Sequence, residues 1–166
     1  MTILTEKEKL SADKDPRDTV LFVCSGNTCR SPMCAALFNH RYAGKKRIGI
    51  SAGLNAGGGS ISPNAAFVLK EYGIPSAGEN DYRSHVSRSV TEELMRTAYL
   101  VVGVSSSHAM QLIMRFPQYA QKITSFGKDI FDPFGGDEET YRFCLKQIGE
   151  ALGKMFTEDK NGSDDN

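Results

Sequence analysis

The stretch LFVCSGNTCRSPM, residues 21–33, decides the fold class of this chain. It begins inside an apolar run at 19–23 that is typical of a strand, and it continues with small and polar residues as far as Pro32. Proline is favoured at the first position of a helix, where its missing N–H group costs nothing. The stretch therefore predicts a strand, a short loop and a helix that starts near Ser31-Pro32. In an open α/β sheet, ligands bind at the carboxyl ends of strands, where this loop would lie.

The rest of the chain repeats this alternation of apolar runs and helical patterns. Three more strands are predicted, at 47–51, 97–104 and 121–126. Helices are predicted at 31–43, 63–72, 91–97, 106–115 and 137–156. The last helix has its apolar residues close to one face: Phe143, Leu145, Ile148, Leu152 and Phe156. The pattern predicts an α/β fold, with an open, mostly parallel four-stranded sheet flanked by helices on both faces.

Length and composition fit a single domain of ordinary globular type. The chain has 166 residues, of which 40% are apolar and 24% charged, and this excludes a chain that is disordered throughout. We assign 19–156 to the domain, 1–18 to a flexible N-terminal lead and 157–166 to a polar C-terminal tail. The sequence shows neither a signal peptide nor an apolar run of about 18 residues that could span a membrane. A cytoplasmic monomer without membrane contact is expected.

The formal charge of zero hides an uneven distribution. Twenty basic and 20 acidic side chains balance over the whole chain, which excludes a strongly basic nucleic-acid binder. Residues 19–156 nevertheless hold 15 basic and 11 acidic side chains. A mildly cationic body suits an anionic substrate, although a random scatter of surface charge explains the same count equally well.

Cys24 and Arg30 are the candidate reactive pair of the loop. A guanidinium binds a phosphate dianion through two parallel hydrogen bonds, which a lysine cannot do. A thiolate can attack the phosphorus, and a helix N-terminus with a nearby guanidinium stabilises a thiolate. Ser31 could hydrogen-bond this thiolate, while successive backbone N–H groups form an anion nest. The predicted phosphate-binding loop consists of Ser25, Gly26, Asn27, Thr28, Cys29, Arg30 and Ser31.

Asp132 is the candidate proton donor, because it follows the last predicted strand in the stretch DPFGG at 132–136. A protonated aspartate can give its proton to a leaving group. Asp-Pro is also an ordinary start of a turn, and for Asp132 taken alone this second interpretation has the better odds.

Together, CSGNTCRSP at 24–32 and DPF at 132–134 resemble the low-molecular-weight protein phosphatase family, and the resemblance extends over about 19–156. It implies a phosphocysteine intermediate on Cys24, with Arg30 binding the phosphate. It implies that Asp132 acts as acid and then as base for the hydrolytic water. No cofactor or metal is required, and the partner is a phosphorylated protein.

The resemblance also implies supporting and selecting residues. Asn27 shapes the loop and is held by Ser51 and His85. Tyrosine-directed members look as if they usually carry Ile at the position of Thr28, whereas members resembling protein-arginine phosphatases carry Thr there. A hydroxyl suits a polar guanidinium better than an aromatic ring face, and Phe134 followed by glycine leaves an open rim. We expect a preference for phosphoarginine, with phosphotyrosine as the alternative.

Cysteine usage raises three further hypotheses. A reversible disulfide between Cys24 and Cys29 would protect the nucleophile from further oxidation, but Cys29 is equally well a small loop residue. A structural zinc module built on Cys24, Cys29 and Cys34 is disfavoured, because the spacing lacks a C-x2-C pair and an arginine lies inside the loop. An arsenate reductase on the same loop is disfavoured, because such relatives look as if they use a further cysteine pair downstream and only Cys144 lies there.

Two positions depart from the family pattern. Cys34 stands where relatives often have a small or acidic residue, and we interpret it as a packing thiol. The stretch 102–108, VGVSSSH, lacks the residues common after the third strand, which leaves the role of His108 open.

Overall fold

The computed structural model describes residues 17–42 and 46–157. Its sheet has four parallel strands in the order β2-β1-β3-β4. The strands are β1 (Asp18–Cys24), β2 (Arg47–Gly53), β3 (Leu100–Gly103) and β4 (Ile123–Ser125). The α-helices of the described residues are α1 (Arg30–Tyr42), α2 (Pro63–Tyr72), α3 (Glu92–Thr97), α4 (Ser106–Arg115) and α5 (Glu138–Met155). The predicted α/β architecture is confirmed.

The alternation of side chains along β1 separates two apolar cores. Val20 and Phe22 point into the core that contains residues of α1, α2 and α5, whereas Leu21 and Val23 point into the core that contains residues of α3 and α4. All four side chains are fully buried. Because helices cover both faces of the sheet, β1 is apolar throughout instead of alternating with polar residues. Cys24 stands at the carboxyl end of this strand.

Two glycines allow backbones to approach where the site is assembled. A Cβ on Gly53, at the end of β2, would lie 2.6 Å from the carbonyl oxygen of Ser25. A Cβ on Gly103, at the end of β3, would lie 2.6 Å from the backbone nitrogen of Ala109 in α4. Both distances are far below van der Waals contact, so these strand ends pack directly on the loop after β1 and on α4.

The predicted boundaries are wrong for two strands and for the start of helix α1. The strand predicted at 97–104 is only Leu100–Gly103, because Thr97 ends α3 and its hydroxyl donates to the carbonyl of Glu93 at 2.9 Å. The strand predicted at 121–126 is Ile123–Ser125, since 117–122 forms a 3₁₀-helix. Helix α1 begins at Arg30, so Pro32 is its third residue and not its first. The helices predicted at 63–72 and 106–115 are confirmed with the same ends.

The buried face of α5 differs from the predicted one at its first turns. Phe143 is 54% exposed, and its ring packs edge-on against Phe131 with the ring centroids 6.2 Å apart. Tyr141 is buried in its place, in line with Leu145 and Ile148 at helical spacing. A position two residues from Tyr141 lies on the opposite side of a helix, which explains the error.

The ends of the chain were assigned to a lead and a tail. Asp18 is the first residue of β1, and Arg17 pairs with Glu79 at 2.8 Å. The other residues of the predicted lead lie outside the described residues, as does the predicted tail beyond residue 157. No helix in the described ranges is both long and apolar enough to cross a membrane.

Candidate active site

Cys24 lies at the bottom of the loop formed by residues 24–31, which we call the Cys24 loop. The residue is only 3% exposed. Its Sγ accepts a hydrogen bond from the backbone N–H of Asn27 at 3.3 Å and lies 2.9 Å from Oγ of Ser31. The amide of Asn27 donates to Ser31 Oγ at 2.8 Å, and the Ser31 proton can point at the carbonyl oxygen of Ala52, 3.4 Å away, or at the sulfur when Cys24 is a thiolate. Two donors therefore converge on Sγ, an arrangement that suits a negative charge.

Asn27 fixes the shape of the Cys24 loop. It is fully buried with φ of +58°, in the left-handed region that asparagine tolerates better than most residues. Besides Ser31, its amide group donates to Ser51 Oγ at 3.0 Å, and its Oδ1 accepts the backbone N–H of Arg88 at 3.0 Å. Its carbonyl oxygen lies 2.7 Å from Nε2 of His85. The structure thus brings Ser51 and His85 to Asn27, where the resemblance expects them.

The carbonyl groups of the Cys24 loop are turned outward and held there. The carbonyl oxygens of Cys24 and Ser25 accept hydrogen bonds from Leu54 N and Asn55 N, both at 2.9 Å. The carbonyl oxygen of Thr28 accepts one from Ser62 N at 2.9 Å. The first N–H groups of a helix have no acceptor within the helix, so those of α1 are available to an anion.

Arg30 brings positive charge to the same place and contacts Asp132. Its guanidinium is 9% exposed and donates to the carbonyl oxygen of Ile130 at 3.4 Å. Its second terminal nitrogen lies 3.5 Å from Oδ2 of Asp132, whose side chain is 56% exposed. Three predicted reactive groups, the thiol, the guanidinium and the carboxylate, therefore belong to one site.

The segment 129–136, which we call the Asp132 loop, is anchored by its backbone. The N–H of Ile130 donates to Val104 O at 3.1 Å, and the N–H of Phe131 donates to Oε1 of Gln147 at 2.9 Å. Oδ1 of Asp132 accepts the N–H of Phe134 at 3.1 Å, which forms a tight local turn. The carboxylate is fixed by this turn while it faces solvent.

Thr28 and Phe134 both line a groove of about 510 Å³ beside the Cys24 loop. Thr28 is half-buried, and Phe134 is 79% exposed. The described residues that line this groove are all uncharged. The groove offers hydroxyl and amide groups from Thr28, Ser60 and Asn64. The two predicted selecting residues therefore share one opening.

Tyr141 is a site residue that no sequence motif indicated. Its hydroxyl accepts a hydrogen bond from Ser62 Oγ at 2.9 Å and lies 3.2 Å from Sγ of Cys29. Burial raises the pKa of Tyr141 to about 12, so the phenol keeps its proton well above neutral pH. Tyr141 thereby ties α5 to the Cys24 loop.

His108 reaches the other side of the Cys24 loop. Its Nε2 lies 2.9 Å from Oγ of Ser25, and its Nδ1 lies 2.7 Å from Oγ of Ser105, the N-cap of α4. Burial, with the positive charge of Arg30 as a second cause, lowers the pKa of His108 from 6.5 to about 4. The imidazole is therefore neutral at physiological pH.

All four cysteines are free thiols, so the disulfide between Cys24 and Cys29 stays a prediction. Cys34 and Cys144 are fully buried, and burial raises the pKa of both thiols, that of Cys144 to about 12. Both are protonated at neutral pH, and Cys34 packs in the apolar core as expected. Within residues 17–42 and 46–157, no group of three His, Cys, Asp or Glu side chains could hold a metal ion.

A family model and a curated relative identify the family of this chain. Residues 19–163 match the family described as low molecular weight phosphotyrosine protein phosphatase. A protein-arginine-phosphatase from Geobacillus stearothermophilus is 36% identical over 143 residues, which are 82% of this chain and 92% of that protein.

Two solved structures share the fold and much of the sequence. The low molecular weight protein tyrosine phosphatase from T. tengcongensis is 36% identical, with a TM-score of 0.77 over 85% of this chain and 99% of that one. A mutant of the arginine phosphatase YwlE with a phosphorylated active site serine is 32% identical, with a TM-score of 0.75 over 88% of this chain and 98% of that one.

Proposed function

Because the chain belongs to the low molecular weight phosphotyrosine protein phosphatase family, we propose that it hydrolyses phosphorylated protein side chains and prefers phosphoarginine. One observation carries the proposal. The Cys24 sulfur, which receives two hydrogen bonds, lies in one loop with the buried Arg30 guanidinium, and that guanidinium contacts Asp132. A nucleophile, an anion binder and a proton donor are the three groups that phosphoryl transfer through cysteine needs.

In the first step, the Cys24 thiolate attacks the phosphorus of the bound phosphoryl group. An S–P bond forms while the P–N bond of phosphoarginine, or the P–O bond of phosphotyrosine, breaks. Arg30 and the N–H groups of the loop bind the phosphoryl oxygens and stabilise the charge that they carry in the transition state. Asp132, in its protonated form, gives its proton to the departing nitrogen or oxygen, so that arginine leaves as a guanidinium cation and tyrosine as a neutral phenol.

In the second step, the same residues release the phosphate. The Asp132 carboxylate takes a proton from a water molecule, and the oxygen of that water attacks the phosphocysteine. The S–P bond breaks, inorganic phosphate leaves, and the sulfur recovers its electron pair as a thiolate. Ser31 stabilises this thiolate as leaving group through the contact of 2.9 Å. The cycle consumes one water and needs no cofactor.

The preference for phosphoarginine is supported by the opening of the site. Thr28 and Phe134 border a groove lined by uncharged residues that include hydroxyl groups. A guanidinium has several N–H donors that can use such hydroxyls, whereas a phenyl ring has none. The relative from Geobacillus stearothermophilus is named a protein-arginine-phosphatase, which points the same way. Phosphotyrosine is the second candidate, since its aromatic ring could pack on the exposed Phe134.

The free cysteines support the proposed location in the cytoplasm. Thiols remain reduced there, while extracellular proteins tend to form disulfides. All four cysteines of the chain are free and buried.

The test is a comparison of matched peptides that carry phosphoarginine or phosphotyrosine in the same sequence. We expect a higher kcat/KM for phosphoarginine and inorganic phosphate as the product with both. Cys24→Ser should lower kcat at least about a thousandfold with every substrate, because a serine hydroxyl is a far weaker nucleophile than a thiolate. The variant should still bind vanadate or phosphate, measured by calorimetry. Turnover at the wild-type rate by Cys24→Ser would show that the reaction does not depend on a thiolate at this position.

A further inference from the structure

Ser25 and Thr28 are the loop side chains that a substrate can reach beyond its phosphoryl group. In the Cys24 loop, Ser25 is exposed and Thr28 is half-buried, while the side chains of the other non-glycine residues are buried. Thr28 borders the groove that contains Phe134. Ser25 is the residue next to the nucleophile and contacts α4 through His108. A side chain that enters the loop mouth therefore meets a hydroxyl from each of these two residues.

The hydroxyl of Ser25 is the outer end of a hydrogen-bonded chain that continues through His108 to Ser105. Its Oγ lies 2.9 Å from Nε2 of His108, and Nδ1 of His108 lies 2.7 Å from Oγ of Ser105. Ser105 Oγ also accepts the backbone N–H of His108 as the helix cap. His108 is 5% exposed, so its ring is held by packing as well as by both hydrogen bonds.

A neutral imidazole donates at one nitrogen and accepts at the other. When Nδ1 carries the proton, it donates to Ser105 Oγ, and Nε2 accepts the proton of Ser25. The oxygen of Ser25 then presents its remaining lone pairs to the loop mouth as an acceptor. A guanidinium offers N–H donors to such an oxygen, but the ring of phosphotyrosine offers none.

We infer that Ser25 is a second specificity-determining residue, which accepts a hydrogen bond from the substrate guanidinium, and that His108 is its positioning residue. The inference rests on the proposed function, because it concerns how this same site recognises phosphoarginine. It assigns a role to the stretch 102–108, where the sequence departs from the family pattern. Ser25 and Thr28 then contribute hydroxyls from two positions of one loop.

The experiment measures kcat/KM for the matched phosphoarginine and phosphotyrosine peptides and follows their ratio. Ser25→Ala should lower the ratio about tenfold, which corresponds to one hydrogen bond to a charged group, about 1.4 kcal/mol. His108→Asn should lower it equally, because the shorter amide reaches Ser105 but not Ser25. His108→Gln should keep the ratio within about threefold, since its amide reaches the position of Nε2. The exposed Ser107→Ala on α4 is the matched control and should keep the wild-type ratio.

The outcomes distinguish the inference about Ser25 from the proposed function. An unchanged ratio in Ser25→Ala would overturn the inference, and it would indicate the other tautomer, in which Ser25 donates to the phosphoryl oxygens that both substrates share. Equal losses in His108→Asn and His108→Gln would also overturn it, because they would show a structural role only. If the wild type hydrolyses neither peptide, the proposed function itself is wrong. If it hydrolyses both and the ratios do not change, only the inference about Ser25 is wrong.

Discussion

In the Cys24 loop, Cys24 is 3% exposed and Asn27 is fully buried, whereas in the Asp132 loop Asp132 is 56% exposed and Phe134 79% exposed. The first loop donates a hydrogen bond to the side chain of Ser51 and accepts hydrogen bonds from the backbone N–H groups of Leu54 and Arg88. The second is held mainly through its backbone. A phosphoryl group has the same shape in every substrate, so its binding site gains from being rigid. A proton donor must reach leaving groups of different size, and exposure permits this.

The largest expected effect concerns the proposed proton donor Asp132, which lies in the second loop. Asp132→Ala should lower kcat about 10²- to 10⁴-fold with a poor leaving group such as an alkyl phosphate. The loss should be much smaller with para-nitrophenyl phosphate, whose leaving group needs no proton. Steady-state kinetics on a series of aryl and alkyl phosphates measure this. An equal loss along the series would remove the proposed role of Asp132 as acid.

The next effect tests the rigidity of the Cys24 loop. Asn27→Ala should lower the free energy of unfolding by about 3 kcal/mol, because several buried hydrogen bonds are lost and alanine is strained at positive φ. Asn27→Gly should recover about 1 kcal/mol of this, since glycine adopts positive φ without strain. Phe134→Ala, in the exposed loop, should stay within about 0.5 kcal/mol of the wild type. Urea denaturation measures all three, and a similar loss in each would contradict the contrast.

The pH dependence of stability tests the lowered pKa of His108, which depends on charged residues of both loops. Burial lowers the pKa of His108 most, and the charge of Arg30 lowers it further, while Asp132 and Asp129 raise it. The pKa of His108 is therefore about 4 instead of 6.5. As the pH falls below 6.5, the unfolded chain binds a proton at His108 that the folded chain does not bind. Stability therefore falls as the pH falls, by about 2 kcal/mol from this residue at pH 5.

The variant His108→Gln removes the titratable imidazole, because glutamine does not bind a proton in this pH range. Its free energy of unfolding should depend less on pH than that of the wild type, by about 2 kcal/mol between pH 8 and pH 5. Urea denaturation at several pH values gives both curves. Parallel curves would show that the folded protein binds the proton at His108 as readily as the unfolded chain does.

The smallest effect concerns the rim between the two loops. Thr28→Ile should shift the ratio of kcat/KM from phosphoarginine toward phosphotyrosine about tenfold, because a polar contact is replaced by an apolar one. Thr28→Ser, which keeps the hydroxyl, is the matched control and should keep the preference. If Ile and Ser have the same effect, the hydroxyl of Thr28 does not select the substrate.

Features that depend on local sequence were predictable. Both faces of the sheet are covered by helices, so its strands can be recognised in the sequence as short apolar runs. The Cys24 loop can be recognised because its residues are consecutive in the chain. The Asp132 loop was located by its Asp-Pro-Phe sequence after the last strand. Helices α2 and α4 have the predicted ends; α2 begins at Pro63 directly after Ser62, and α4 directly after its N-cap Ser105.

Contacts between distant elements were not predictable from one sequence. His108 and Ser25 are 83 residues apart, and Tyr141 and Cys29 are 112 residues apart. Whether such pairs meet depends on how each helix is rotated and shifted against the sheet, and apolar periodicity defines this only to within a residue or two. The same uncertainty placed Phe143 on the buried face of α5, although the structure exposes it.

The partners of Asn27 have a consequence for how the chain folds. They come from the end of β2 and from the segment that contains His85 and Arg88, and the Arg88 contact joins residues 61 positions apart. Contacts between distant residues form late in folding, because long loops must close first. The donors around Cys24 therefore assemble only when the sheet edge is complete. During refolding, helical structure should therefore return before enzyme activity, because a nascent or partly folded chain lacks the contacts that shape the Cys24 loop.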